Sequence, residues 1–179
     1  DEAAVLQNEI GDRLMERLDY IRLQPRRILD LGAGTGMFTS ALMKRYRKAD
    51  VVALDIAKPM LHCVRQRAGW LRKPSCVCGD TETLPFADDS FDFIFSNLML
   101  QWCDPLAVFR EFRRILKPEG ILMFSSFGPD TLRELREAWM TIDQQPHVID
   151  FVDMPDLGDM LMQAGVLEPG MDVDRHTLT

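Results

Sequence analysis

Apolar residues recur at helical spacing over residues 4–23, where Val5, Ile10, Leu14, Leu18 and Ile21 share one face, and Pro25 ends that pattern. Short apolar runs then alternate with amphipathic ones. The pattern predicts strands at 28–31, 50–56, 75–79, 91–97 and 120–127, with helices at 37–47, 58–69 and 105–116 between them. Pro59 sits in the first turn of the second of these helices. Over 91–97 no polar residue interrupts the apolar run after Asp92 until Ser96, as in a strand buried on both faces. Leu106, Phe109, Phe112, Ile115 and Leu116 form one side of the 105–116 helix, which Lys117-Pro118-Glu119-Gly120 is expected to close. Asp130 is read as the cap of a helix reaching about residue 143, a short helix spans 153–164, and 171–178 is read as a last strand. Strand–helix alternation with buried apolar strands predicts an α/β fold, a doubly wound and mostly parallel sheet with helices on both faces. A ligand then belongs beyond the carboxyl ends of the strands.

The polar residues at those ends carry the chemistry. The first strand runs through Asp30 into Gly32-Ala33-Gly34-Thr35-Gly36, and a helix follows. Glycines there permit positive φ and close approach of a ligand, and the helix start offers unpaired N–H groups. The spacing is G-x-G-x-G, because Met37 stands where a dinucleotide loop would carry its third glycine. An acid before the loop repels a pyrophosphate and attracts a cation, which points to S-adenosylmethionine. The second strand ends in Asp55, placed to accept both hydroxyls of a ribose, although an Asp there also suits a turn or helix cap. The third ends Cys78-Gly79-Asp80-Thr81, a carboxylate and a hydroxyl for an exocyclic amine. The fourth ends Ser96-Asn97-Leu98 over the same pocket.

Length and composition narrow the class. The 179 residues make one domain, and 46% apolar with 27% charged residues is ordinary for a globular chain. No apolar run reaches membrane-spanning length and no leader is visible. The chain starts without Met and stops at Thr179 inside the expected last strand, so both ends are expected to be trimmed. A net charge of −7 argues against nucleic acid as a partner, although basic residues crowd the first third and acidic ones the last. Cys63, Cys76, Cys78 and Cys103 show no metal spacing, so no metal and a reducing cytoplasm are expected; Cys76 and Cys78 are read as buried strand residues.

From about Arg26 to Phe127 the loop, Asp55, the Gly79-Asp80 pair, the Leu84-Pro85-Phe86 to Phe91-Asp92 linker and the Leu116-to-Gly120 stop stand in one order. In this the chain resembles the class I S-adenosylmethionine-dependent methyltransferases. Ser96 to Cys103, Phe127 to Leu135 with Trp139 and Asp143, and Pro146-His147-Val148 with Phe151 are more narrowly similar to the malonyl-acyl carrier protein O-methyltransferases of biotin synthesis. That resemblance implies a Rossmann-like fold whose sheet is incomplete at its carboxyl-terminal side. It also implies an amino-terminal lid over 1–24, including Asp1-Glu2-Ala3-Ala4 and Gln7, and a cofactor domain over 25–179. The aromatic residue that usually precedes that Asp is absent. The cofactor residues implied are Asp30, Gly32, Ala33, Gly34, Gly36, Asp55, Ile56, Met60, Asp80, Thr81, Asn97 and Leu98. The acceptor would be the free carboxylate of malonyl-acyl carrier protein or malonyl-coenzyme A, with no membrane involved.

A carboxylate acceptor is ionised near neutral pH and needs no general base. The strand ends carry no Ser-His-Asp or Cys-His set, and catalysis would rest on proximity and water exclusion. Gln101, Trp102 and His147 are the catalytic candidates; the same three with Arg133 and Trp139 are the substrate-binding candidates. Each has a structural alternative: Gln101 as a cap of the next helix, the tryptophans as core, His147 as a loop residue. Arg136 is a second candidate for the malonyl group or the carrier, and Arg133 is preferred because it follows the fifth strand's end. Arg110, Arg113 and Arg114 fit those ligands too, but also suit the carboxyl end of their helix. Two other functions fit the same frame. One is a quinone-precursor or other small-molecule methyltransferase; the other is a methyltransferase-fold assembly factor or hydroxylase acting on a protein partner.

Overall fold

A computed structural model describes residues 4–70, 72–143, 145 and 147–175. Among the described residues five strands form one sheet: β1 (Arg27–Leu31), β2 (Asp50–Asp55), β3 (Ser75–Cys78), β4 (Phe91–Asn97) and β5 (Leu116–Ser125). Their order is β3-β2-β1-β4-β5 and every pair is parallel. The order reverses at β1, whose neighbours are β2 and β4, so the ligand crevice opens at the end of β1. Register aligns that end: Leu31 lies beside Leu54 and Ser96, Asp55 beside Cys78, and Asn97 beside Ser125.

Helices cover both faces, as the buried strands require. The helices α1 (Val5–Arg17), α2 (Met37–Arg45) and α3 (Lys58–Arg67) precede α4 (Pro105–Ile115), α5 (Arg133–Met140) and α6 (Met154–Gln163). Leu29, Leu31, Leu54 and Ile94 face Phe109 and Phe112 of α4 and Leu157 and Leu161 of α6. Ile28, Val51, Phe93 and Phe95 face Leu14 of α1 and Phe38 and Leu42 of α2. Each such side chain, fully buried, contributes about 1.5–3 kcal/mol of transfer free energy. The helix α1 is therefore part of the common core. At the opposite rim Asp92 accepts from the N–H groups of Arg26 and Arg27 and from Lys117. Burial raises its pKa, but those donors outweigh burial and hold it below the ordinary value.

Several expectations are corrected. Asp130 does not cap α5: the N-cap is Leu132 in a left-handed conformation, with no side-chain cap bond. The strand β5 begins at Leu116, directly after α4, and the Lys117-to-Gly120 segment lies inside it, with Glu119 at φ +63 and a register shift opposite Phe91 and Phe93. The expected helix stop is thus an irregularity within the strand. Residues 171–175 form no strand, and 176–178 lie outside the described residues. Cys76 is half-buried and Cys78 exposed, because β3 is a sheet edge with only β2 beside it among the described residues. Asp1, Glu2, Ala3 and Pro146 also lie outside the described residues.

Candidate active site at the carboxyl rim of the sheet

The loop after β1 is shaped by three glycines in positive φ, and two show different reasons. At Gly36, φ +80, a Cβ would stand 2.8 Å from the backbone Cα of Val64, so the packing of α2 on α3 admits no side chain. At Gly34, φ +51, a Cβ would meet nothing within 4 Å among the described residues. Gly34 therefore borders open space on its Cβ side, while its N–H is held by Asp55. That is a cradle for a ligand that approaches the backbone closely.

Two carboxylates flank the cradle. Asp30 is 2% exposed and accepts a hydrogen bond from the Thr39 hydroxyl in the first turn of α2. Burial pushes its pKa up to about 7; Thr39 opposes the rise, and the charge of Asp55 adds to it. A cation at this rim favours the ionised form. Asp55 accepts from Gly34 N–H at 2.8 Å and Ala57 N–H at 2.8 Å, one bond to each oxygen. It thus bridges the glycine loop to the end of β2, and each oxygen keeps a lone pair for a ligand hydroxyl. Just beyond in the chain, the apolar side chains of Ile56 and Met60 are 72% and 38% exposed. The residues present fit S-adenosylmethionine: an open backbone cradle, acids for a cation and a ribose, and bare apolar surface for a flat base.

Other predicted residues are placed differently. Asp80 is exposed and accepts from Glu82 N–H. Thr81 is buried, with its hydroxyl 3.1 Å from the Cys103 sulfur. Asn97 donates to Gln7 O of α1 at 2.9 Å and accepts from the Ser125 hydroxyl at 2.8 Å. It ties α1 across the rim to β5. Leu98 is buried at φ +50, and its N–H donates to Ser125. Ala33 N–H and Gly32 N–H both donate to Leu54 O, fixing the start of the loop to β2.

The acceptor candidates lie beyond β4 and β5. Gln101 donates through Nε2 to Leu98 O at 2.6 Å, while its Oε1 is buried with no partner among the described residues. It does not cap α4, because Asp104 does so by accepting from Leu106 N–H. Trp102 is 75% exposed and so is not core. Trp139 stacks on His147 with centroids 4.1 Å apart, and His147 Nε2 lies 2.8 Å from Asp143. The backbone N–H of Gln145 and then His147 hold the Asp143 carboxyl below its ordinary pKa. His147 is thereby committed to its neighbours. Arg133 is exposed, with loose ion pairs to Asp130 at 3.9 Å and Glu137 at 3.8 Å. Arg114 clasps the linker, donating to Leu84 O, Phe86 O, Asp88 and Glu111, a structural role.

Sequence reasoning missed Thr39. Its signal was a hydroxyl three residues after the last loop glycine, where the first turn of α2 faces back toward Asp30. Among the described residues no group of three or more His, Cys, Asp or Glu side chains is placed to hold a metal ion, and no helix is long and apolar enough to cross a membrane.

Comparison with known proteins agrees with this geometry. Residues 29–124 match the family described as methyltransferase domain. The chain is 53% identical over 180 residues to a malonyl-[acyl-carrier protein] O-methyltransferase of Halorhodospira halophila, covering 100% of this chain and 61% of that protein. It is 50% identical over 186 residues to the protein of the same name from Gallionella capsiferriformans, covering 100% of this chain and 64% of that one. The chain thus spans about three-fifths of the length of these relatives. Among solved structures, an S-adenosylmethionine dependent methyltransferase from Mesorhizobium loti superposes with a TM-score of 0.63 at 25% identity, over 78% of this chain and 73% of that one. The sheet order, the glycine loop and the match over more than half its length place this chain in the methyltransferase domain family.

Proposed function

We propose that this protein binds S-adenosylmethionine along the β1–β2 rim and methylates the free carboxylate of a malonyl thioester carried by acyl carrier protein, making the methyl ester that primes pimeloyl and biotin synthesis. Residues 1–24 supply the lid through the segment around Gln7, whose carbonyl accepts from Asn97, because Leu14 and Leu18 are fixed in the core; residues 25–179 form the cofactor domain. The carrying observation is Gly34, open toward solvent, with Asp30 beneath the loop and Asp55 beside it. The malonyl acceptor is supported by the relatives that are half identical to this chain and bear that name. Four free cysteines suit a reducing cytoplasm.

When bound, the cofactor supplies an electrophilic methyl group on a sulfonium. The chain's residues bind and orient. Asp30, poised near neutrality, favours positive charge above it; Asp55 takes the ribose; Ile56 and Met60 cover the adenine. Because a malonyl carboxylate is already ionised, no proton has to be removed. That agrees with a rim whose His147 is held by Asp143 and Trp139. Holding the two reactants in line is worth up to about 7–11 kcal/mol.

The test is to incubate the full-length protein with methyl-labelled S-adenosylmethionine and malonyl-acyl carrier protein, malonyl-coenzyme A or a quinone precursor. A base-labile methyl ester on the malonyl thioester is expected. Label only on the quinone precursor, or cofactor binding without transfer to any acceptor, would overturn the reading.

A further inference from the structure

The guanidinium of Arg136 is held in an unusual state. Nη1 donates to the Pro129 carbonyl at 3.1 Å, fixing the group against the loop that leaves β5. Nε and Nη2 are buried, and neither has a partner among the described residues. The Nη1 end stays exposed, so the charge reaches water, but unmade hydrogen bonds on the two buried nitrogens are costly. Carboxylates are at hand, but Asp130 and Glu137 face Arg133 instead.

The atoms left over matter. Nε–H and one N–H of Nη2 lie parallel on one edge of the guanidinium plane, the side-on fork that meets both oxygens of a carboxylate. The edge that includes Nη1 is the one anchored to Pro129. Its anchor, Pro129, lies in the loop that leaves the carboxyl rim. The 126–132 loop begins where Ser125 pairs with Asn97, on the same rim as the glycine loop. One turn further along α5, the stacked Trp139–His147 pair supplies a flat apolar wall. Polar fork and wall lie three residues apart on one helix face.

Building on the carboxyl-methylation reading, we propose that the Nε/Nη2 edge of Arg136 grips the acceptor carboxylate of the malonyl group by two parallel hydrogen bonds. One lone pair of each oxygen is then used and a second remains for attack. An oxygen forms the new O–CH3 bond as the methyl's bond to the sulfonium sulfur breaks. Its electron pair stays on sulfur, leaving a neutral thioether, and no proton moves. The product ester carries no charge, so Arg136 loses its counter-ion and the ester is released. The same edge rejects acyl groups without a terminal carboxylate, so Arg136 is a specificity residue as well as a binding one.

The experiment uses the full-length protein, Arg136→Met and Arg136→Lys. Calorimetry measures affinities for malonyl-coenzyme A, acetyl-coenzyme A and S-adenosylmethionine, and methyl transfer gives kcat and KM. Wild type is expected to prefer malonyl over acetyl thioester. Arg136→Met should lose that preference and about 100-fold or more in kcat/KM, with cofactor affinity unchanged. Arg136→Lys keeps the charge without the fork and should lose at least about tenfold; it decides the matter if the Met variant fails to fold. Added guanidinium should partly restore Arg136→Met. If wild type methylates malonyl thioesters and either folded variant keeps both preference and kcat/KM, this assignment is wrong and the function stands. If wild type itself transfers nothing to malonyl thioesters, the functional reading fails and takes this one with it.

Discussion

Asp30 and Asp55 have partners within their own half of the rim, in Thr39, Gly34 and Ala57. Across the crevice, Gln101 Oε1 and two nitrogens of Arg136 are buried without partners among the described residues. The first region is a closed set of bonds between segments near in sequence. The second keeps buried polar atoms with nothing of its own to bind. An unmade hydrogen bond in a buried place costs about 1–3 kcal/mol, so such groups are retained where a ligand offsets the cost. On the proposed function, the donor side is preformed and the acceptor side is completed by what it binds. This difference also separates residues whose loss harms the fold from those whose loss harms only binding.

The largest expected effect tests that separation inside the preformed half. In Gly36→Ala the new methyl must displace the backbone of Val64 while holding φ +80. We expect about 2–4 kcal/mol of lost stability. Gly34→Ala meets no atom, so only the left-handed conformation of about 1–2 kcal/mol is strained. Its methyl group instead fills the cradle, and affinity for S-adenosylmethionine should fall by at least tenfold. Urea denaturation and calorimetry on both variants measure the two effects. If Gly34→Ala binds the cofactor normally, the cradle is not the cofactor site.

Next in size is the pH response of Asp30. Its folded pKa of about 7 stands above the ordinary 3.8. The folded state thus keeps a proton that the unfolded chain has lost, and this group's contribution to stability falls as pH rises between those values, then levels off. Cofactor affinity moves the opposite way, because the cation prefers the carboxylate. A gain of about tenfold from pH 6 to pH 8 follows from a pKa near 7. Asp30→Asn should flatten both profiles, and it controls for titration of the cofactor itself. Identical slopes in the two proteins would remove Asp30 from cofactor recognition.

The same contrast explains how far the sequence could be read. The strands, the parallel sheet and the glycine loop follow from apolar runs and from residues close together along the chain. The placement of Asp30, Asp55 and Gly34 at one rim is legible for that reason. The acceptor side depends on side-chain orientation across long separations, which periodicity does not carry. Arg133 and Arg136 lie three residues apart with the same chemistry, and only burial shows that one is ion-paired at the surface while the other has an unused edge. Asn97 read as a cofactor residue, yet its amide spans from Gln7 to Ser125, partners 90 and 28 residues away. Asp130 read as a cap, but the loop before α5 places Leu132 there instead.

The smallest effect on stability is expected at Trp102. Its ring is 75% exposed, on the 3-10 turn Leu100–Trp102 after β4, so little apolar area is lost on truncation. Trp102→Ala should leave the urea midpoint within about 0.5 kcal/mol of wild type. Trp139→Ala, which breaks the stack with His147, should cost about 0.5–1.5 kcal/mol. If Trp102 closes over the acceptor, kcat for methyl transfer falls about tenfold without any change in stability, and transfer from a malonyl thioester measures this directly. A large exposed tryptophan whose removal changes neither stability nor transfer would place it outside the acceptor side. The boundary of that region would then fall at Gln101, whose buried oxygen has no partner among the described residues.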